Sequence, residues 1–176
     1  MEVKMEKQLT QKYLLRKWRE GDEDSIVKYA NNTEVSKFLK DSFPSPYTYS
    51  DALRWVRFSN RSVDAYHMAI VIEENAVGCI GVEKQQDVYR KSAELGYWLG
   101  QEYWNQGIMT DVVKQVVDIA FDKMDIVRLY AYVFSGNIAS SKVLEKAGFI
   151  LESRQVAAVY KNGKHMDQLV YSIVRI

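Results

Sequence analysis

Trp104-Asn105-Gln106-Gly107-Ile108-Met109-Thr110-Asp111 follows a strand-like run, Ala93-Glu94-Leu95-Gly96-Tyr97-Trp98-Leu99, and opens a helix-like run that extends to about Lys123. Met109, Val112, Val113, Val116, Ala120 and Met124 recur there at helical spacing. A strand that feeds a glycine-bearing turn and then a helix gathers backbone N–H groups around an anion. The first helical turn has N–H groups with no internal acceptor, and the helix dipole favours negative charge beside them. Gly107, having no Cβ, lets the backbone come close to that anion. Residues 104–111 therefore read as a pyrophosphate cradle, with an ordinary helix-start glycine as the alternative. Neither common nucleotide signature is present: there is no G-x-G-x-x-G, and Gly136-Asn137-Ile138-Ala139-Ser140-Ser141-Lys142 has Ser where a P-loop needs its second glycine.

Outward from this stretch the chain alternates between strand and helix signals. Tyr13 to Trp18 reads as a first strand, and Asp22 or Asp24 can cap a helix that runs to about Ala30. Thr33 to Leu39 reads as a further helical turn or two, before Pro44 and Pro46 interrupt the chain. Thr48-Tyr49-Ser50-Asp51 has capping-box spacing, with Leu53, Val56 and Arg57 placed on one face of the helix that follows. Tyr66 to Ile72, Val77 to Val82 and Ser92 to Leu99 read as an antiparallel meander. Arg128 to Phe134 is a buried strand, Asn137 to Ala147 a helix, and Gly148 its left-handed cap. The crossover rule makes the strands on either side of the cradle helix parallel neighbours. Asn162-Gly163 marks a hairpin, and the chain closes on a strand from Gln168 to Val174.

Composition narrows the class. The chain has 176 residues, 47% of them hydrophobic and 12% aromatic, which suits one globular enzyme domain. Residues 10–176 are expected to form it, with 1–9 as an N-terminal extension. Twenty-four basic against 23 acidic residues leave a net charge of +1, which argues against a nucleic-acid footprint. Met68 to Ile72 is too short an apolar run to span a bilayer, and Met1 to Lys7 has no apolar core for a signal peptide. The single cysteine, Cys79, excludes an intrachain disulfide framework, so a cytoplasmic location is expected. Cys79 reads as a small buried hydrophobe. His67 and His165 have no spacing for metal binding and read as structural or exposed.

Residues 104–109 resemble the Q/R-x-x-G-x-G/A loop of the GCN5-related N-acetyltransferases, although Trp104 and Met109 depart from its first and last positions. The form with Trp first and Thr110 after the sixth position is similar to the RimJ/RimL-like ribosomal-protein branch. Three more segments share the resemblance: Glu94-Leu95-Gly96-Tyr97-Trp98; Asn137-Ile138-Ala139-Ser140 with Lys146-Ala147-Gly148-Phe149; and Asn162-Gly163-Lys164 with Asp167 and Tyr171. Together they cover about residues 10–176. They imply an α/β (α+β) acyl-CoA N-acyltransferase fold: a mixed sheet of about seven strands, with an antiparallel meander, flanked by about four helices.

The resemblance implies acetyl-CoA as cosubstrate and direct attack by an amine, without a metal and without a covalent enzyme intermediate. Pantetheine would pair with the exposed backbone of Tyr97, Trp98 and Leu99, with an N–H near Trp98 or Leu99 facing the thioester oxygen. The N–H groups of Gln106, Gly107, Ile108, Met109 and Thr110 would take the pyrophosphate. Asn137 would hold pantetheine, or serve only as a helix cap. Ser140 would donate to the departing thiolate, or be an ordinary first-turn serine. Glu94 and Glu83 are the candidate bases, with charges that guard a sheet edge as the alternative. Trp98 and Trp104 are equally readable as core fillers, and Lys142 and Lys146 as a solvated helix face or as partners of the 3′-phosphate. The acceptor is a protein N-terminal amine in the first reading and a polyamine or aminoglycoside in the second. A non-catalytic acyl-CoA sensor is the reading from another class. A homodimer is left open.

Overall fold

The computed structural model describes residues 13–61 and 64–176; the expected N-terminal extension, residues 1–9, lies outside the described residues. Seven strands form one sheet: β1 (Leu14–Lys17), β2 (Ala65–Ile72), β3 (Asn75–Lys84), β4 (Ser92–Leu99), β5 (Arg128–Phe134), β6 (Ile150–Lys161) and β7 (Lys164–Val174). Their spatial order is β1-β2-β3-β4-β5-β7-β6. The α-helices are α1 (Glu23–Ala30), α2 (Thr33–Ser36), α3 (Tyr49–Ser59), α4 (Ile108–Lys123) and α5 (Ile138–Lys146). The count exceeds the expected four because the turn at Thr33 is a separate one-turn helix.

Two cores lie on opposite faces, as strand alternation requires. On one, Val112, Val113 and Val116 of α4 and Leu144 of α5 pack with Val82, Leu95 and Leu129. On the other, Ile26 of α1 and Ala52 and Val56 of α3 pack with Ala69, Val71 and Cys79. The buried stripe of α3 is Ala52, Val56 and Ser59, and Arg57 is exposed. The expected face is therefore rotated, because steps of four and three residues from Ala52 follow the helical period and Arg57 falls off it.

Local signals account for the boundaries. Thr48 caps α3 in a full capping box: Asp51 N–H donates to Thr48 Oγ1 (3.3 Å) and Thr48 N–H donates to Asp51 Oδ2 (2.9 Å). Thr48→Ala is expected to destabilise the protein by about 1 kcal/mol, the usual worth of such a cap. A denaturation midpoint unchanged from the parent would refute that contribution. Asp22 stands at the N-cap of α1 but makes no capping bond, since its backbone is helical (φ −77°, ψ −13°) rather than extended. Its carboxylate instead accepts two 2.7 Å hydrogen bonds from Arg16 and one from Arg19 N–H at 3.0 Å. The hairpin forms as expected: Asn162 and Gly163 both have positive φ (52° and 76°), with Lys161 paired to Lys164. Tight pairing starts β7 at Lys164, four residues before the expected Gln168.

The β4–β5 junction positions the site. β4 and β5 are parallel, but they pair only from Ser92–Glu94 to Arg128–Tyr130. Beyond Glu94, β4 stays on β3 as far as Leu99, while β5 stays on β7 as far as Phe134. The two strands therefore diverge, and among the described residues no strand pairs with β4 on that side.

Candidate active site

The wedge between β4 and β5 opens into a cleft of about 840 Å³ that reaches from the N-terminus of α4 to α3. Its parts follow from backbone geometry.

At one end, Gly107 is the N-cap of α4 in the left-handed region (φ 79°, ψ −8°), and none of the described residues comes within 4 Å of where its Cβ would be. Asn105 also has positive φ, 59°. The first internal bond of α4 is Asp111 N–H to Gly107 O (3.1 Å), so the N–H groups of Ile108, Met109 and Thr110 have no acceptor within the helix. The side chains of Ile108 and Met109 are buried in the core, which leaves their backbone as the cradle. The Gln106 side chain folds back, its Nε2 donating to Glu102 O (2.9 Å). Trp104 is no core filler: it is 36% exposed, and its indole N–H donates to Leu99 O (2.8 Å). That bond ties the cradle to the end of β4.

Along the wedge, the structure refines which backbone groups are available. Gly100 N–H donates to Val77 O, and Ser92 O accepts from Gln85 N–H, so both residues turn their backbone towards β3. Alternation gives Trp98 and Gly96 the same direction, since the β3–β4 register is unbroken. The expected use of Trp98 N–H is therefore corrected: Tyr97 and Leu99 face the gap, and Leu99 O is already taken by Trp104. The Trp98 side chain lines the cleft, its ring 5.8 Å from that of Phe43.

On α5, Asn137 does cap the helix, with its Oδ1 accepting from Ser140 N–H (3.2 Å), and its amide NH₂ remains as a donor. Ser140 Oγ lies 2.9 Å from Tyr97 Oη, which also lies 3.3 Å from Ser140 O. Burial raises the Tyr97 pKa above its ordinary value, so the phenol keeps its proton at neutral pH. Lys142 and Lys146 line the same cleft.

The two candidate carboxylates stand together. Glu83 and Glu94 are direct cross-strand partners, so their side chains share the face towards α3. They differ in company: Glu94 Oε1 holds Lys40 Nζ at 2.7 Å, and Glu83 Oε1 lies 3.6 Å from Nε2 of His67, which is 7% exposed. Sequence reasoning read His67 only as structural or exposed and passed over Lys40 and the phenol of Tyr97, because each gains its place through long-range pairing. Cys79 is buried, and burial pushes its thiol pKa up to about 12, which makes it a packing residue and not a nucleophile. No helix among the described residues is long and apolar enough to cross a membrane.

Comparisons with known proteins agree with this arrangement. The uncharacterized N-acetyltransferase YoaA of Bacillus subtilis is 27% identical, over 94% of this chain and 95% of its own length. The putative ribosomal N-acetyltransferase YdaF of Bacillus subtilis is 27% identical, over 78% of this chain and 75% of its own. Among solved structures, the ribosomal L7/L12 α-N-protein acetyltransferase RimL, in complex with coenzyme A, has the same fold, with a TM-score of 0.80 at 21% identity over 91% of this chain and 92% of that one. Residues 12–150 match the acetyltransferase (GNAT) domain family. With the seven-strand sheet split at β4–β5 and a helix N-terminus facing the split, the chain belongs to the GNAT family of acetyl-CoA-dependent N-acetyltransferases.

Proposed function

We propose that the cleft transfers acetyl to the α-amine of a protein N-terminus. The observation that carries the cofactor half is the wedge: unpaired β4 backbone leads from the α4 cradle to the carboxylates at the splay point. The residues fit the cofactor. The free N–H groups of Ile108, Met109 and Thr110 and the open space at Gly107 suit a pyrophosphate. The gap beside Tyr97 suits an extended arm that hydrogen-bonds like an added strand. Asn137 would hold that arm, and Lys142 or Lys146 would meet the 3′-phosphate.

Acetyl-CoA supplies the acetyl group as an activated thioester, and this chain's own residues do the rest. Backbone N–H at Tyr97 or Leu99 is the donor available for a developing negative oxygen. Ser140, backed by the Tyr97 phenol, is placed to donate towards a departing sulfur. The acceptor reaches the splay point from the α3 side, where Glu83 and Glu94 face the cleft and attract an ammonium. An α-amine with an ordinary pKa near 8 needs little help to shed its proton at neutral pH.

The YdaF-like and RimL-like resemblances support a protein acceptor. The paired acids favour a second reading, a polyamine. Incubating the protein and acetyl-CoA with a peptide bearing a free N-terminal alanine, or with spermidine, and reading acetylation by mass spectrometry decides between them. Acetyl on the peptide α-amine is the expected result. Acetyl on spermidine alone would replace it with the polyamine reading, and coenzyme A binding without transfer to either would favour the sensor.

A further inference from the structure

Three residues of neighbouring strands form one row across the sheet: His67 of β2 is paired with Gly81 of β3, which is paired with Gly96 of β4. The rows on either side carry Ala65–Glu83–Glu94 and Ala69–Cys79–Trp98. On the α3 face, the row with two glycines is therefore a trough between taller side chains. Its outer end is open, since none of the described residues comes within 4 Å of a Cβ placed on Gly96. Its inner end is closed by the imidazole of His67, which leans over Gly81: a Cβ there would lie 2.8 Å from Nδ1. The rings of Trp55 and Phe58 hold the imidazole from the α3 side at 5.0 and 5.7 Å.

The polar state of this histidine is unusual. Its Nε2 is buried and has no hydrogen-bond partner among the described residues, whereas buried polar atoms are nearly always satisfied. The nearest carboxylate oxygen is Glu83 Oε1 at 3.6 Å. A proton on Nε2 points at that carboxylate and leaves the Nδ1 lone pair over the glycine trough. We propose that His67 and Glu83 act as a dyad that takes the proton from the acceptor amine, with Nδ1 of His67 as the accepting atom and the Gly81–Gly96 trough as the seat of the amine. This rests on acetyl transfer being the reaction of the cleft.

Strands lie about 4.8 Å apart, so an amine over Gly96 is about one strand spacing from Nδ1, within reach directly or through one water. Glu94, in contrast, is engaged by Lys40. The protons balance. An ammonium gives one proton to Nδ1, which makes the imidazolium beside Glu83. The freed lone pair forms the C–N bond as the C–S bond breaks. The second nitrogen proton ends on the product thiol, and the imidazolium returns its proton to solvent. Burial lowers the His67 pKa from 6.5 and Glu83 opposes that shift, so the imidazole is neutral, and able to accept, at neutral pH. The other groups around it are Glu94 and Cys79 on the sheet. On α3 the charged residues Arg54 and Arg57 are exposed, and Asp51 is bound to Thr48 and Arg54.

The chain has two histidines, so a His165→Gln background leaves His67 as the single imidazole for ¹⁵N NMR. The expected spectrum is the Nε2–H tautomer with a titration midpoint below 6.5. Glu83→Gln should move that midpoint lower, because it removes the group that raises it, and Glu94→Gln should move it much less. With the alanine peptide, the low-pH limb of kcat/KM should follow the same shifts. It should vanish in His67→Gln, with a loss of about a hundredfold, the lower end of what a positioned base contributes. Gly96→Val should raise the KM for the peptide. An Nδ1–H tautomer, or a limb that ignores Glu83→Gln, would overturn the dyad. If the parent transfers no acetyl to the peptide while the tautomer is as expected, the acceptor assignment fails and not the geometry of the pair.

Discussion

Gly107→Val is expected to weaken coenzyme A binding about a hundredfold, close to 3 kcal/mol, while the protein stays folded. Two costs combine. Gly107 sits at φ 79°, where a β-branched residue is a steric outlier that costs on the order of 1–3 kcal/mol. Relaxing that strain means rotating the turn that presents the N–H groups of Ile108, Met109 and Thr110. The added side chain would also fill the open space through which an anion approaches the backbone. Asn tolerates left-handed backbone better than Val, so Gly107→Asn isolates the bulk from the strain. Calorimetry with coenzyme A, alongside a thermal melt, measures both. Unchanged affinity in folded Gly107→Val would remove residues 104–111 from the pyrophosphate site.

Ser140→Ala should lower kcat by about thirtyfold while changing coenzyme A affinity by less than about threefold, because a donor to a thiolate gains strength only as charge develops. The phenol decides how far this goes. Tyr97 has one proton, and its oxygen lies near both Ser140 Oγ (2.9 Å) and Ser140 O (3.3 Å). When Tyr97 donates to Oγ, the serine proton is free to point at the sulfur. When Tyr97 donates to the carbonyl, Ser140 donates back to the phenol and is lost to the reaction. Tyr97→Phe should therefore cost less than Ser140→Ala, and the double variant should be no worse than Ser140→Ala, as expected of groups in one hydrogen-bond chain. Equal losses in affinity and turnover would make Ser140 a binding residue. Additive losses would mean that Tyr97 acts independently of it.

The fold and the strand–turn–helix geometry of the proposed cofactor cradle were legible in the residues because they are built from local chemistry. The cradle is eight consecutive residues, with Gly107 in a conformation glycine favours and the exposed helix N–H groups directly after it. Thr48 and Asp51, and Asn162 and Gly163, likewise set a helix start and a hairpin over a few residues. Tertiary structure decided the arrangement of the proposed acceptor half. Strand alternation fixes which face a side chain takes, but the partner across the ladder depends on register. Register alone places His67 beside Gly81 and Gly96, and Glu83 opposite Glu94. The direction of the Trp98 backbone followed from the same ladder, with Gly100 and Ser92 both bonded to the β3 side. Lys40 reached Glu94 across 54 residues of chain, and Lys161 holds Leu39 O at 2.6 Å and Asp41 at 3.0 Å across about 120. A composition or a periodicity has no term for such contacts, since their energy depends on where the folded backbone brings distant groups together.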